Sequence, residues 1–169
     1  MTSNAPIVYV VDDDPAVRDS TRWLLESTRY VTRTYESAKH FLDDYNRETP
    51  GCLLLDVRMP GMSGLELQSH MTASNISLPI IIITGHDYVP MAVRALKQGA
   101  FDFLQKPFDD ELLITLVHRA MACDERRQQS QRQTDDIRRR LTRLTSRENE
   151  VLQMVVDGKS NKEMAAQLQ

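Results

Sequence analysis

The sequence predicts an α/β fold: a doubly wound, five-stranded parallel sheet of the flavodoxin-like kind, then a long helical linker and a small all-α region. Two observations point there. Between residues 7 and 122, short apolar runs alternate with segments whose apolar residues recur at helical spacing. Four of those runs also end in polar residues able to do chemistry, and the carboxyl ends of the strands are where such a sheet binds its ligands.

The first run is Ile7, Val8, Tyr9, Val10 and Val11, and the second is Cys52, Leu53, Leu54 and Leu55. Residues 79–83 form the third. Unbroken apolar runs, rather than polar–apolar alternation, mark strands covered on both faces. Residues 30–35 and 101–104 are weaker strands. Helical faces lie between them: Val17, Thr21, Leu24, Leu25 and Thr28; Ala92, Ala95, Leu96 and Gly99; Leu112, Leu113, Leu116, Val117 and Ala120. Five strands alternating with five helices require right-handed crossovers.

The last of these helices has no evident stop. From Asp124 to Arg140 the apolar residues nearly vanish, Ile137 excepted, and six arginines outnumber Glu125, Asp135 and Asp136. This stretch reads as a solvated helical linker. Thr145-Ser146-Arg147-Glu148 is then a capping box, with Val151, Leu152, Val155 and Val156 on one face and Gly158 as a stop. Ser160-Asn161-Lys162-Glu163 is a second box, opening a helix through Ala165 and Leu168. The expected divisions are an α/β domain at 1–122, a linker at 123–140 and a small helical region at 141–169.

Bulk properties set limits. With 169 residues, 41% hydrophobic and 27% charged, the chain can bury a core and is not wholly disordered. A net charge of −3 makes no case for nucleic acid from the whole chain. Cys52 and Cys123 form neither a disulfide framework nor a metal cluster, and two free thiols suit a reducing cytoplasm. Residues 1–6 are too short and polar for a signal peptide. No apolar run approaches the roughly 18 residues a membrane helix needs, so no membrane partner is expected.

The chemistry gathers at one edge. The first strand ends in Asp12-Asp13-Asp14, the third in Asp56, the fourth in Thr84-Gly85 and the fifth in Lys106-Pro107. Asp14 before Pro15 also makes a good helix N-cap. Clustered carboxylates repel, and a hard divalent cation such as Mg²⁺ relieves that repulsion. Asp56 is then a candidate nucleophile that accepts a phosphoryl group as an aspartyl-phosphate. Lys106 neutralises the transferring oxygens, and the Thr84 hydroxyl can donate to the product phosphate.

Taken in order, Val10-Val11-Asp12-Asp13-Asp14, Leu55-Asp56-Val57-Arg58-Met59-Pro60-Gly61-Met62-Ser63-Gly64, Thr84-Gly85-His86 and Lys106-Pro107-Phe108 resemble the response regulators of two-component signalling. The resemblance covers about the first 120 residues. It implies a receiver domain in which Asp56 is the phosphoacceptor for a sensor histidine kinase. Asp13, Asp56 and the backbone carbonyl of Arg58 would ligate Mg²⁺, with Asp12 acting mostly through water. Thr84 and Lys106 would bind the phosphoryl group, and Lys106-Pro107 would be cis. Phe103 stands at the position of the family's switch aromatic and, lacking a hydroxyl, would switch by packing together with Thr84.

Residues 144–152 and 158–165 look like the opening of a LuxR-type helix-turn-helix, which places the chain in the FixJ/NarL branch. That implies a transcriptional regulator, not a metabolic enzyme, that homodimerises on phosphorylation and binds promoter DNA as a longer protein. The helix that would enter the major groove is not in this sequence, so specific DNA binding is not expected of residues 1–169 alone. Two rivals are weaker. An aspartyl-phosphate phosphatase usually carries a second Asp two residues after the nucleophile, where this chain has Arg58. A stand-alone phosphorelay receiver has no use for the linker and two capping boxes.

Overall fold

The computed structural model describes residues 5–85 and 89–167. His86, the last residue of the Thr84-Gly85-His86 motif, and Leu168, read as part of the last helix, lie outside the described residues, as do residues 1–4. Contacts divide the chain into two compact units, residues 1–128 and 129–169.

In the first unit, β1 (Ile7–Val11), β2 (Val31–Tyr35), β3 (Gly51–Asp56), β4 (Ile80–Thr84) and β5 (Asp102–Gln105) form one sheet in the order β2-β1-β3-β4-β5. All four pairings are parallel. Between the strands run α1 (Pro15–Ser27), α2 (Ala38–Asp44), α3 (Gly64–Ala73) and α4 (Val89–Lys97), and α5 (Asp110–Leu141) follows the last strand.

Alternate side chains of each strand go to opposite faces. Tyr9, Val11, Leu53, Leu55, Ile80 and Ile82 join Phe41, Leu67, Met71, Ala92 and Ala95 in one core. Val8, Val10, Leu54, Ile81, Ile83 and Leu104 meet Leu25, Leu113, Leu116, Val117 and Ala120 in the other. β1, β3 and β4 are therefore buried throughout, which explains their unbroken apolar runs. β2 and β5 are the edges and only partly buried, which is why their sequences read as weaker strands.

The helix starts follow from local chemistry. Asp14 caps α1, accepting from the Ala16 N–H at 2.9 Å, with Pro15 in the first turn. Ser63 and Glu66 form a full capping box on α3. Gly64 opens that helix because a Cβ there would collide with the carbonyl oxygen of Asp56.

Three sequence expectations need correction. Leu112 is 49% exposed and faces away from the core, while its neighbour Leu113 is fully buried. Thr28 and Gly99 terminate their helices at the surface and are not part of a buried face. Asp124, read as the start of a solvated linker, is fully buried. Its carboxylate accepts from the Gly51 N–H at 3.0 Å, from Arg127 Nη2 at 2.6 Å and Nε at 3.1 Å, and from Gln128 Nε2 at 3.0 Å. Four charge-assisted bonds satisfy a carboxylate that burial would otherwise penalise.

In the second unit, α6 (Ser146–Val156) and α7 (Asn161–Gln167) follow the end of α5. Thr145 and Glu148 make both bonds of a capping box. Gly158 has φ +76°, and the bonds Gly158 N–H to Val155 O and Lys159 N–H to Met154 O close α6 in a Schellman motif. Ser160 and Glu163 cap α7 in the same reciprocal way. Neither helix buries a residue.

Candidate functional site

The strand order reverses between β1 and β3, whose neighbours lie on opposite sides, and that switch point is where doubly wound sheets bind ligands. β1 runs directly into Asp12 there, and β3 ends in Asp56. The two carboxylates are 2% and 6% exposed, and the residues that bring them so close are the fully buried Val11 and Leu55, paired in register.

Lys106 reaches across from the end of β5. Its Nζ donates to Asp12 Oδ2 at 2.6 Å and to Asp56 Oδ1 at 2.8 Å. It enters through the turn whose Lys106-Pro107 bond is cis and whose Lys106 N–H is bound to Thr84 O at 2.7 Å. The remaining carboxylate oxygens are held by the backbone: Asp14 N–H donates to Asp12 Oδ1 at 2.9 Å and Arg58 N–H to Asp56 Oδ2 at 2.7 Å.

Electrostatically the site is two acids sharing one base. Burial pushes the Asp56 carboxyl above its ordinary value, Lys106 pulls it back by hydrogen bond and charge, and the nearby Asp12 charge pushes it up again. Burial alone would lower the Lys106 ammonium, but the two carboxylates outweigh it and hold its pKa above the usual lysine value. One negative charge among these three groups is left uncompensated, and the site therefore favours an additional cation.

The acids that meet here, Asp12 and Asp56, offer hard carboxylate oxygens only. Among the described residues no three His, Cys, Asp or Glu side chains gather to hold a metal by themselves. That combination suits Mg²⁺, which takes one or two carboxylates and completes its shell with water and phosphate oxygens, and does not suit a metal that needs a full protein cage.

The other sequence-predicted residues fall around this core. Asp13 is exposed at the rim, and Asp12 rather than Asp13 makes the buried contact with Lys106. Thr84 is 1% exposed at the end of β4, and its hydroxyl donates to Gly85 O at 3.3 Å. Phe103 lies one strand further out, paired with Ile82 and packed against the core that contains Ala92 and Ala95 of α4. Arg18, absent from the sequence reading, donates through Nη1 to the Asp12 carbonyl at 2.6 Å. Its signal was available: it sits four residues after the N-cap Asp14, on the first turn of α1.

Comparison with known proteins identifies the family. The family described as "Response regulator receiver domain" matches residues 8–118, and "Bacterial regulatory proteins, luxR family" matches residues 142–169. The "Transcriptional regulatory protein TdiR" of Thauera aromatica is 44% identical over 97% of this chain and 72% of its own length. The "Transcriptional regulatory protein FixJ" of Bradyrhizobium diazoefficiens is 42% identical over 94% of this chain and 77% of its own. The solved structure of "Response Regulator StyR" superposes with a TM-score of 0.90 at 42% identity, covering 97% of this chain and 83% of that one. The chain belongs to the transcriptional response regulators of two-component systems, in the branch whose receiver is followed by a LuxR-type DNA-binding region.

Proposed function

We propose that Asp56 is the phosphoacceptor of this receiver and that a sensor histidine kinase is the donor. The observation that carries the reading is the double contact of Lys106 Nζ with Asp12 and Asp56 at 2.6 and 2.8 Å. An Asp56 oxygen attacks phosphorus, the bond from phosphorus to the donor nitrogen breaks, and the imidazole keeps that electron pair. Lys106, already on Asp56 Oδ1, stabilises the oxygens that gain charge. Thr84 would turn its hydroxyl from Gly85 O towards the bound phosphoryl group.

Asp56, the Arg58 carbonyl and the Asp12–Asp13 pair are the residues that would hold Mg²⁺, which when bound neutralises charge on the phosphoryl oxygens. Phosphorylation then biases a two-state receiver. Phe103, on β5 between the Thr84 strand end and α4, is the packing element of that switch, and homodimerisation through the face of α4, β5 and α5 is its readout. Promoter DNA is the target of the LuxR-type region. On this reading residues 1–122 are the receiver, 123–140 the linker and 141–169 the beginning of the effector, in a protein that works in the cytoplasm. No helix among the described residues is long and apolar enough to cross a membrane.

Acetyl phosphate labelling tests the reading. Wild type labels in millimolar Mg²⁺ and not in excess EDTA, and light scattering with beryllofluoride shows a rise from monomer to dimer mass. Full labelling in EDTA removes the metal from the mechanism, and an unchanged mass at tens of micromolar protein removes the dimer.

A further inference from the structure

The C-terminal unit holds a concentration of charge that phosphotransfer does not use. Residues 138–147 contain five arginines and no acid, in a chain whose net charge is −3. Arg138, Arg139 and Arg140 lie in the last turn of α5, Arg143 in the short connection that follows, and Arg147 in the first turn of α6. All five fall in the same compact unit as the region matched to the LuxR family.

Four of these arginines have no use within the fold. Arg147 is set aside, because it pairs with Glu150 at 3.1 Å. Arg138, Arg139, Arg140 and Arg143 are exposed, and among the described residues none of their guanidinium groups makes a hydrogen bond or ion pair. Asp135 and Asp136 stand within one turn of the first three, yet neither bridges to any of the four, and Asp135 instead accepts from Gln131 Nε2 at 3.2 Å. Cations do favour the end of a helix, but the partial charge there is only about half an elementary charge, which one arginine already exceeds. Guanidinium groups carry paired N–H donors that match phosphate oxygens.

Successive helical residues point about 100° apart, so Arg138, Arg139 and Arg140 spread round the end of α5. That spread does not close on one small anion; it suits a polyanion whose charges are also distributed. Among polyanions, the neighbourhood favours duplex DNA, because α6, which begins three residues after Arg143, opens the LuxR-type region. We propose that Arg138, Arg139, Arg140 and Arg143 contact the phosphates of duplex DNA, whatever its sequence. The inference rests on the reading of promoter DNA as the target of the LuxR-type region, and adds to it a contact made from the end of α5. Such contacts supply affinity and register but no base recognition, and salt weakens them steeply.

The full chain is titrated into a labelled duplex of scrambled sequence, followed by fluorescence anisotropy, at salt concentrations from about 50 to 200 mM. Wild type binds, and the logarithm of its affinity falls with that of salt at a slope of about −3 to −4, as four phosphate contacts require. Arg138→Gln, Arg139→Gln and Arg140→Gln together flatten the slope by about 3, and Arg143→Gln alone by about 1. Lysine at the same positions keeps the charge and the slope, which separates lost phosphate contact from any fraying at the end of α5. Lys39→Gln with Arg47→Gln, at two exposed cations of the receiver, leaves the slope unchanged. No salt-dependent binding by wild type, an unchanged slope in the triple Gln variant, an equal loss in the receiver variant, or tighter binding to phosphatidylglycerol vesicles than to the duplex would each overturn the proposal. None of these outcomes bears on promoter recognition, which is read separately as discrimination between promoter and scrambled duplex by the longer protein.

Discussion

The receiver unit and the C-terminal unit are held by different physics. In the first, every strand of the sheet contributes to one or both cores, and fully buried side chains such as Leu55, Ile82 and Leu113 carry the stability. In the second, α6 and α7 bury nothing, and Val155 and Val156 are 54% and 71% exposed. What orders α6 and α7 is local: two reciprocal capping boxes and a left-handed Gly158. The contrast teaches that a helix can be well specified by its ends without being stabilised by its face. Tertiary packing usually supplies most of a helix's stability, so α6 and α7 are the weaker part of the chain.

The largest effect that separates the two regions is expected from Ile82→Ala. It empties space in a core that closes around β4 and costs about 2–5 kcal/mol in chemical denaturation of the receiver. A loss below about 1 kcal/mol would show that the sheet is not the stabilising element. Asp124→Ala comes next. It strips a partner from the buried Gly51 N–H and from Arg127, for a cost of about 1–3 kcal/mol by the same measurement. Amide exchange across residues 124–128 rises with it, and unchanged exchange there would mean that Asp124 does not anchor this turn of α5.

Thr145→Ala belongs to the other region. It removes the side-chain half of the α6 cap and costs about 1 kcal/mol, read as faster exchange in α6 with the receiver unaffected. The smallest effect is one of pH. Glu148 accepts from the backbone N–H and the hydroxyl of Thr145, Glu163 from the hydroxyl and N–H of Ser160, and these bonds hold both carboxyls below the usual glutamate range. A depressed folded-state value means the contribution is present above the ordinary glutamate pKa of 4.5 and is lost as pH falls through the lower folded one. Acidification below that point frays the starts of α6 and α7, visible as amide shifts at Thr145 and Ser160. A transition centred above pH 5 would contradict the capping account.

Much of this was legible in the sequence, for stated reasons. The three buried strands announced themselves because two covered faces leave no polar alternation, and the capping boxes because their chemistry is local. The ends of four strands pointed to Asp12, Asp56, Thr84 and Lys106 before any geometry. What stayed hidden depends on partners distant in sequence. Asp124 looks solvated among its arginines because the Gly51 N–H that it holds is 73 residues away. Leu112 looks like core because adjacent apolar residues at the start of α5 cannot both face inward. Which of Asp12 and Asp13 turns to Lys106 is decided by where β1 ends and the chain turns, a one-residue matter that spacing alone does not resolve.

The central claim is that, of the two buried acids held by Lys106, Asp56 is the one that takes the phosphoryl group. Peptide mapping after acetyl phosphate treatment and borohydride reduction tests it most directly. The account predicts modification at Asp56 alone and no labelling of Asp56→Asn. A label on Asp12 or Asp13, or full labelling of Asp56→Asn, would contradict it.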